Sequence, residues 1–446
     1  MVTVDIAKHD EAYLEPSSSA ARLNARAQRV MPGGNSRTTV YMAPHPDYAA
    51  RGLGAVVVDA DGQARYDFVN NYTSLMHGHA DPDINAAVVE QLQYGTAFGM
   101  PTEHEINLAE LIAERVPSVE HVRFTNSGSE AVMMAVKAAR AYTGRPMIAK
   151  FEGCYHGSYD FVEVSLATPE ELWSDDPISY PYSHGTPQAV LDSVLVLPFN
   201  DIATLERLLE RHKHELAAVL IDPMPMRAGM IPAEPAFLER LREMTHAFGI
   251  VLIFDEVISL RVAYGGTQSL LGVTPDLTTM AKIIGGGFPV GAVGGSAEVM
   301  GVFDPTKRYP KAPHGGTFNA NPITMVAGLA AMQKMTPAEF ERLERLGGLL
   351  REGIAEALDG ARVRGQVTGR GSLFYIHLHD RPLKDYRTTN PTPAEAQRTA
   401  KLHRALMAHG VIVAPMLMGC LSTPMDEPEV NAFVDAVAAS LRETAD

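Results

Sequence analysis

Short apolar runs that alternate with segments of helical periodicity limit the fold of this chain more than any other feature. The runs are residues 147–151, 194–197, 217–221 and 250–254, and helical segments such as 202–212 and 236–248 lie between them. A nearly continuous apolar run is typical of a strand that is buried on both faces, as in a parallel sheet covered by helices. The pattern therefore predicts an α/β fold around a mainly parallel sheet.

The two ends of the chain carry a different pattern. Residues 55–58 and 65–69 flank the turn residues Asp61 and Gly62, which predicts a β-hairpin. Further helices are expected at 22–31, 322–333, 337–358, 392–409 and 427–441, and further strands near 362–365 and 373–379. We predict a large α/β domain over residues 73–330. Residues 1–72 and 331–446 are expected to form a smaller α+β domain from both chain ends.

Composition narrows the class of protein. The chain has 446 residues, and 38 Lys and Arg against 53 Asp and Glu give a net charge of −15. A protein that binds nucleic acid through its phosphates needs a basic surface, so this class is excluded. The hydrophobic fraction of 46% excludes intrinsic disorder, because it is enough for a large core.

The cysteines and the N-terminal residues indicate the cellular compartment in which the protein is expected. Cys154 and Cys420 cannot build a disulfide framework or a four-thiolate metal site, and we expect two buried thiols in a reducing cytosol. Residues 1–13 lack the apolar core of a signal peptide. No apolar run reaches the ~18 residues needed to span a bilayer. These features predict a cytoplasmic protein with no membrane partner and no bound metal.

The first candidate chemical motif is a helix start made of small residues. Ser127, Gly128 and Ser129 precede Glu130, and Ser127 and Glu130 have the spacing of a capping box. Backbone N–H groups at such a helix start attract an anion such as phosphate, aided by the helix dipole. An ordinary capped helix fits the same residues.

Two further motifs follow apolar strands. Asp255 ends the run 250–254, at the edge where open α/β sheets bind their ligands, although a solvated acid at a strand end is the alternative. Lys282 follows the run 277–281 and precedes Gly285, Gly286 and Gly287. Burial would lower the pKa of its amine and make it nucleophilic, whereas a surface lysine before a flexible loop is the other interpretation.

The three motifs together fit one cofactor. A phosphate site, a carboxylate that can pair with a protonated pyridine ring and a lysine that can form a Schiff base are what a pyridoxal phosphate enzyme requires. Their agreement in one chain favours the functional interpretation of each.

The sequence resembles the class III aminotransferases of fold-type I. It is most similar to the branch that holds the glutamate-1-semialdehyde aminomutases and the β-amino acid (β-phenylalanine type) aminotransferases. The similarity runs from about Met31 to the C-terminus and rests on residues 126–131, 152–157, 254–257, 281–287 and 316–318. The resemblance implies pyridoxal 5'-phosphate as cofactor and a mainly parallel, seven-stranded sheet in the large domain.

The resemblance also implies a role for individual residues. Lys282 is similar to the lysine that forms the Schiff base and then moves the proton, and Asp255 to the carboxylate that keeps the pyridine nitrogen protonated. Ser127, Gly128 and Ser129 match phosphate ligands, while Tyr155 and Val257 match the residues on the two faces of the ring. Thr317 matches a residue that reaches the phosphate of the neighbouring subunit, which implies a homodimer with its active sites at the interface.

Substrate recognition depends on fewer residues. Arg37 matches the arginine that binds the substrate carboxylate in the β-amino acid branch, with a surface arginine as the alternative. Met416 stands where that branch carries a second arginine, and Leu417 where the mutases carry an acid, so we expect an apolar second subsite; core packing is the other explanation. Arg261 is expected to structure the pocket entrance or to form a structural ion pair. Asp222 replaces the Glu that is usual in the family.

The predicted reaction is ping-pong transfer of an amino group from a β-amino acid with an apolar or aromatic side chain to pyruvate or 2-oxoglutarate. Three alternatives stay open: an aminomutase that moves the amine within one substrate, an amine transaminase that needs no carboxylate, and a pyridoxal-binding regulatory or structural protein.

Overall fold

The computed structural model describes residues 15–307 and 309–444, so residues 1–13, which we expect to lack a signal peptide, lie outside it. In the part of the chain that is described, no helix is both long and apolar enough to cross a membrane.

The described chain contains helices of 4 to 24 residues. They are α1 Ser19–Ala27, α2 Asn70–Thr73, α3 Pro82–Leu92, α4 Glu103–Arg115, α5 Gly128–Thr143, α6 Asp160–Glu163, α7 Gln188–Leu191, α8 Ile202–His212, α9 Pro235–Phe248, α10 Gln268–Leu271, α11 Ala297–Met300, α12 Pro322–Lys334, α13 Pro337–Gly360, α14 Tyr386–Thr389, α15 Pro393–Ala408 and α16 Glu427–Thr444. The strands are β1 Ala49–Leu53, β2 Val56–Asp59, β3 Ala64–Asp67, β4 His121–Thr125, β5 Met147–Phe151, β6 Val194–Leu197, β7 Leu216–Ile221, β8 Val251–Asp255, β9 Leu277–Ala281, β10 Gly291–Gly295, β11 Gln366–Thr368, β12 Leu373–His377, β13 Val411–Ile412 and β14 Met418–Cys420.

A seven-stranded sheet in the order β4-β10-β9-β8-β7-β5-β6 forms the centre of the molecule. All its neighbouring strands run parallel except at β10, which is antiparallel to both β4 and β9. Alternate residues of β7 pack on opposite faces: Leu220 lies in a cluster with α5, and Ile221 in a cluster with α8 and α9. The α/β fold with a mainly parallel sheet is confirmed.

Both ends of the described chain contribute to a second sheet, in the order β1-β2-β3-β13. The predicted hairpin forms its β2 and β3, and β13, from the C-terminal part, pairs parallel to β3. A third sheet joins β11, β12 and β14. The domain bounds 1–72, 73–330 and 331–446 stay a prediction.

Several expected elements differ from the structure by a few residues, and two of them begin at least three residues away from the expected start. The first helix begins at Ser19 rather than at residue 22, because the carboxylate of Asp61 accepts the N–H groups of Ser19 and Ala20. The strand expected at 362–365 begins only at Gln366, since Arg362 has a φ of 56° and turns the chain after α13. Both differences arise from contacts and backbone geometry that apolar periodicity does not encode.

Candidate active site

The carboxyl ends of β4, β5, β7, β8 and β9 meet at one edge of the central sheet, where a cavity of about 370 Å³ opens. This is the edge at which open α/β sheets bind their ligands. Seven of the predicted cofactor residues line the cavity: Ser127, Gly128, Ser129, Tyr155, Asp255, Val257 and Lys282. The structure therefore brings together residues that are up to 155 positions apart in the sequence (282 − 127).

The first turn of α5 forms one wall of this cavity. Ser127 is its N-cap, and its hydroxyl accepts the N–H of Glu130, while the Glu130 carboxylate accepts the N–H of Asn126 at 2.8 Å. The first N–H groups of a helix have no partner inside the helix and bind anions. A Cβ on Gly128 would lie 3.1 Å from Val257, so glycine lets α5 begin close against that side chain.

Asp255 lies at the opposite wall and its two oxygens accept three hydrogen bonds. Nδ1 of His156 lies 2.7 Å from Oδ2, and the Val257 N–H and the Thr279 hydroxyl donate to Oδ1. Burial lowers the pKa of His156, so we take its ring as neutral, with the proton on Nδ1. His156 lines the cavity, although the sequence predicted no role for it. Its position next to Tyr155 in the chain is the feature that could have pointed to it.

Lys282 directs its amine toward a sharply turned segment of the chain. Its Nζ donates to the Tyr72 carbonyl at 2.8 Å and to the Thr73 hydroxyl at 3.3 Å. Burial lowers the pKa of Lys282 to about 8, although the negative charge of Asp255 acts in the other direction. A larger share of the amine is therefore neutral near pH 8 than in an exposed lysine, as a nucleophile requires.

Four consecutive residues of this turn, Asn70 to Thr73, have left-handed backbone angles, with φ between 47° and 72°. Such a run is costly for residues other than glycine and needs support from its surroundings. Arg261 supplies part of it: Nη1 donates to the Thr73 carbonyl, Nη2 to the Leu421 carbonyl and Nε to the Ser372 hydroxyl. Arg261 is fully buried, and its guanidinium contacts backbone and hydroxyl oxygens, so among the described residues it supports this turn beside the cavity rather than pairing with a carboxylate.

Three acidic side chains lie near one another at the ends of β7 and β8, and they differ in environment. Glu256 faces away from the cavity toward Thr267 and Gln268, and burial raises its pKa to about 7. Asp222 lines the cavity and accepts the Met224 N–H at 2.9 Å. Burial, together with the charge of Asp255, raises the pKa of Asp222 well above its ordinary value. Asp255 is the one of the three that both lines the cavity and accepts several hydrogen bonds.

Three predicted residues do not line this cavity. Arg37 is exposed and lies beside it, where Nη1 donates to Oδ1 of the cavity residue Asn71 at 2.8 Å. Met416 is partly buried against an apolar cluster that includes Met418. Thr317 is exposed and lines a separate cavity.

The residues present fit pyridoxal phosphate. The α5 start suits its phosphate, the Asp255 carboxylate suits a protonated ring nitrogen, and Lys282 presents an amine of lowered pKa in the same cavity. The fold and this site define an enzyme of the pyridoxal phosphate-dependent transferases of fold-type I.

Comparison with known proteins gives the family. Residues 41–423 match the family described as Aminotransferase class-III. The chain is 38% identical to glutamate-1-semialdehyde 2,1-aminomutase 2 of Brevibacillus brevis, covering 89% of this chain and 91% of that one. The chain belongs to the class III aminotransferases, and pyridoxal phosphate is its cofactor.

Two solved structures are similar over almost the whole chain. An ω-transaminase from Sphaerobacter thermophilus is 68% identical, with a TM-score of 0.96, and covers 98% of this chain and 100% of its own. A β-phenylalanine aminotransferase from Variovorax paradoxus is 36% identical, with a TM-score of 0.86, and the match covers 96% of this chain and 94% of that protein.

Proposed function

We propose that this enzyme transfers the amino group of a β-amino acid with an apolar or aromatic side chain to pyruvate or 2-oxoglutarate. The observation that carries the proposal is the link from Arg37 through Asn71 to the cavity wall, which brings a guanidinium to the side of the cofactor site. A guanidinium can bind a carboxylate by two parallel hydrogen bonds. The names of the Sphaerobacter and Variovorax proteins support transfer between two substrates.

Different cavity residues have different roles in the proposed reaction. When bound, pyridoxal phosphate supplies a carbon that captures the amine and a ring that takes up the electron pair left by proton removal. The first turn of α5, with Ser127, Gly128 and Ser129, binds the phosphate. Asp255 would hold a proton on the ring nitrogen, while Tyr155 and Val257 would orient the ring from its two faces.

Lys282 carries the proton. Its Nζ, with a pKa of about 8, would take the proton from the amine-bearing carbon of the donor and return it to the carbon of the bound cofactor that holds the nitrogen. Water would then release the keto product and leave the amino group on the cofactor, and the same groups would act in the reverse direction once the acceptor has bound.

The apolar cluster behind the cavity suits the side chain of the donor. Ile258 lines the cavity and packs against this cluster, which includes Met418. Tyr72 and Met416 pack against the same cluster but do not line the cavity. Leu417 and Met418 are fully buried, so they serve core packing rather than direct contact with the substrate. We place the donor side chain toward Ile258, with Met416 as the flexible residue behind it.

A homodimer would complete the site. Thr317 lies outside the cofactor cavity of its own chain, in a second cavity that it shares with the exposed side chains of Phe98 and Met100, and its neighbour Phe318 is exposed as well. Exposed apolar surface of this kind is typical of an interface. We propose that this surface meets a second copy and brings Thr317 to the partner's phosphate.

We place the enzyme in the cytoplasm. Both cysteines, Cys154 and Cys420, are free and buried, which suits a reducing compartment.

The aminomutase is the second candidate, because relatives with that name are 38% identical to this chain. A panel of donors separates the candidates. We expect 3-amino-3-phenylpropanoate to turn over continuously only when pyruvate or 2-oxoglutarate is added, and 1-phenylethylamine, which lacks the carboxylate, to react more slowly. Turnover of glutamate 1-semialdehyde without any acceptor would instead identify a mutase. Equal rates for the acid and the simple amine would identify an amine transaminase.

A further inference from the structure

The loop of residues 152–158 touches three parts of the cofactor cavity. Tyr155 lines it, and His156 Nδ1 lies 2.7 Å from the Asp255 carboxylate. The Ser158 N–H donates to the hydroxyl of Ser129 in the first turn of α5 at 3.0 Å. The position of this loop therefore affects the ring, its carboxylate partner and the phosphate site together.

The first residue of the loop is paired with a residue from the C-terminal part of the chain. The Glu152 side chain is only 3% exposed, and Nε and Nη2 of Arg387 donate to its two oxygens at 2.6 and 3.3 Å. The strength of such a two-point pair depends on both partners, because an unpaired buried carboxylate is costly.

The second residue of the loop packs closely against α14. A Cβ on Gly153 would lie 2.2 Å from the ring of Tyr386, and Gly153 has a φ of 72°. The Gly153 N–H donates to the Ser165 carbonyl at 2.8 Å. The loop start thus lies between α14 and the segment that follows α6.

Arg387 also binds that segment. Its Nη1 donates to the Ser174 carbonyl at 2.8 Å, and its guanidinium carbon lies 5.5 Å from the ring centre of Trp173. Trp173 in turn meets the Tyr386 ring edge-on, with the ring centres 6.3 Å apart. Trp173 is the single tryptophan of the chain, so its fluorescence reports on this contact without background.

We infer that Arg387 is a positioning residue for the cofactor site: with Tyr386 it fixes the 152–158 loop and thereby sets Tyr155 and His156. Without the guanidinium, the Glu152 carboxylate would have to reach water, and the loop would move with it. The inference rests on the proposed roles of Tyr155 and Asp255 toward pyridoxal phosphate, with His156 acting through its hydrogen bond to Asp255.

Hydrogen exchange of the cofactor-free protein tests the anchoring without reference to catalysis. In Arg387→Met we expect the amides of Gly153 and Ser158, both hydrogen-bonded in the structure, to exchange at least roughly tenfold faster. The matched control is Arg342→Met: Arg342 pairs with Glu339 and Asp426, has a similar exposure of 25% against 24%, and lies outside this region. Unchanged exchange in Arg387→Met, or equal change in the control, would overturn the inference.

Cofactor binding tests the second step. Titration of pyridoxal phosphate, followed by Trp173 fluorescence, should give a dissociation constant raised about tenfold in Arg387→Met, which corresponds to ~1.4 kcal/mol. Arg387→Lys keeps the charge without the two-point pair and should restore part of the affinity. Faster exchange with unchanged affinity would refute the positioning role while leaving the proposed transaminase intact. A wild-type protein that binds no pyridoxal phosphate would refute the function itself.

Discussion

His156 Nδ1 lies 2.7 Å from the Oδ2 of Asp255, and both side chains are buried. Because the neutral imidazole donates a hydrogen bond to the carboxylate, His156 fixes the direction in which Asp255 faces the cavity. The hydrogen bond to Asp255 is the contact through which we expect His156 to affect the reaction.

Replacement of His156 should lower the rate of transfer without abolishing it. His156→Phe removes the hydrogen bond at similar volume, and we expect kcat to fall about 10- to 100-fold, the effect of losing a hydrogen bond to a charged group. His156→Gln can still donate and should lose less. Steady-state kinetics on one donor–acceptor pair measures both; equal rates for the Phe variant and the wild type would contradict this role.

The lowered pKa of Lys282 predicts how cofactor capture depends on pH. Only the neutral amine reacts, so the rate at which cofactor-free protein captures pyridoxal phosphate should rise as pH increases through about 8 and level off above about pH 9. The capture rate can be measured by stopped-flow absorbance in a series of buffers from about pH 6.5 to about pH 10.5, in steps of roughly half a unit. A rate that keeps climbing to pH 10.5 would indicate an ordinary lysine. Lys282→Ala, the control, should give no covalent capture.

Arg37 should matter for carboxylate donors alone. Arg37→Ala removes the charged partner of the carboxylate, and we expect kcat/KM for 3-amino-3-phenylpropanoate to fall about 10- to 100-fold while 1-phenylethylamine is little affected. Asn71→Ala, which removes only the group that orients the guanidinium, should show the same selectivity with a smaller loss. Equal losses for the two donors would remove Arg37 from substrate recognition.

The proposed dimer predicts complementation between two impaired variants. If Lys282 and Thr317 of one site come from different subunits, a mixed dimer of Lys282→Ala and Thr317→Ala contains one site with neither change. Co-expression with two affinity tags isolates the mixed dimer, and its activity should exceed that of either parent. If both residues served the site of their own chain, every site would carry one change and no activity would return.

Sequence patterns predicted the sheet well because its strands are buried on both faces. β5 and β6 have the expected bounds, β7 differs by one residue at its start and β8 by one residue at each end, since apolar runs mark buried strands directly. Asp255 and Lys282 were predicted from their places at the ends of apolar strands and Ser127 to Ser129 from a helix start, whereas Tyr155 and Val257 were predicted only from the family resemblance; all of them line the cavity.

The parts that sequence reasoning missed depend on contacts distant in the chain. The left-handed turn at Asn70 to Thr73 contains no glycine, and its conformation requires support from Arg261 and the Leu421 region. The pair between Glu152 and Arg387 joins residues 235 positions apart, which no local pattern records. The turn and the ion pair can be recognised only once the folded structure is known.

The most direct measurement of the central claim is the fate of the donor nitrogen. Incubation with ¹⁵N-labelled 3-amino-3-phenylpropanoate and pyruvate or 2-oxoglutarate should place the label in the acceptor, as alanine or glutamate, in a one-to-one ratio with the keto product. Without an acceptor, reaction should stop after one equivalent per active site. Label that stays in an isomer of the donor, formed without any acceptor, would contradict the account.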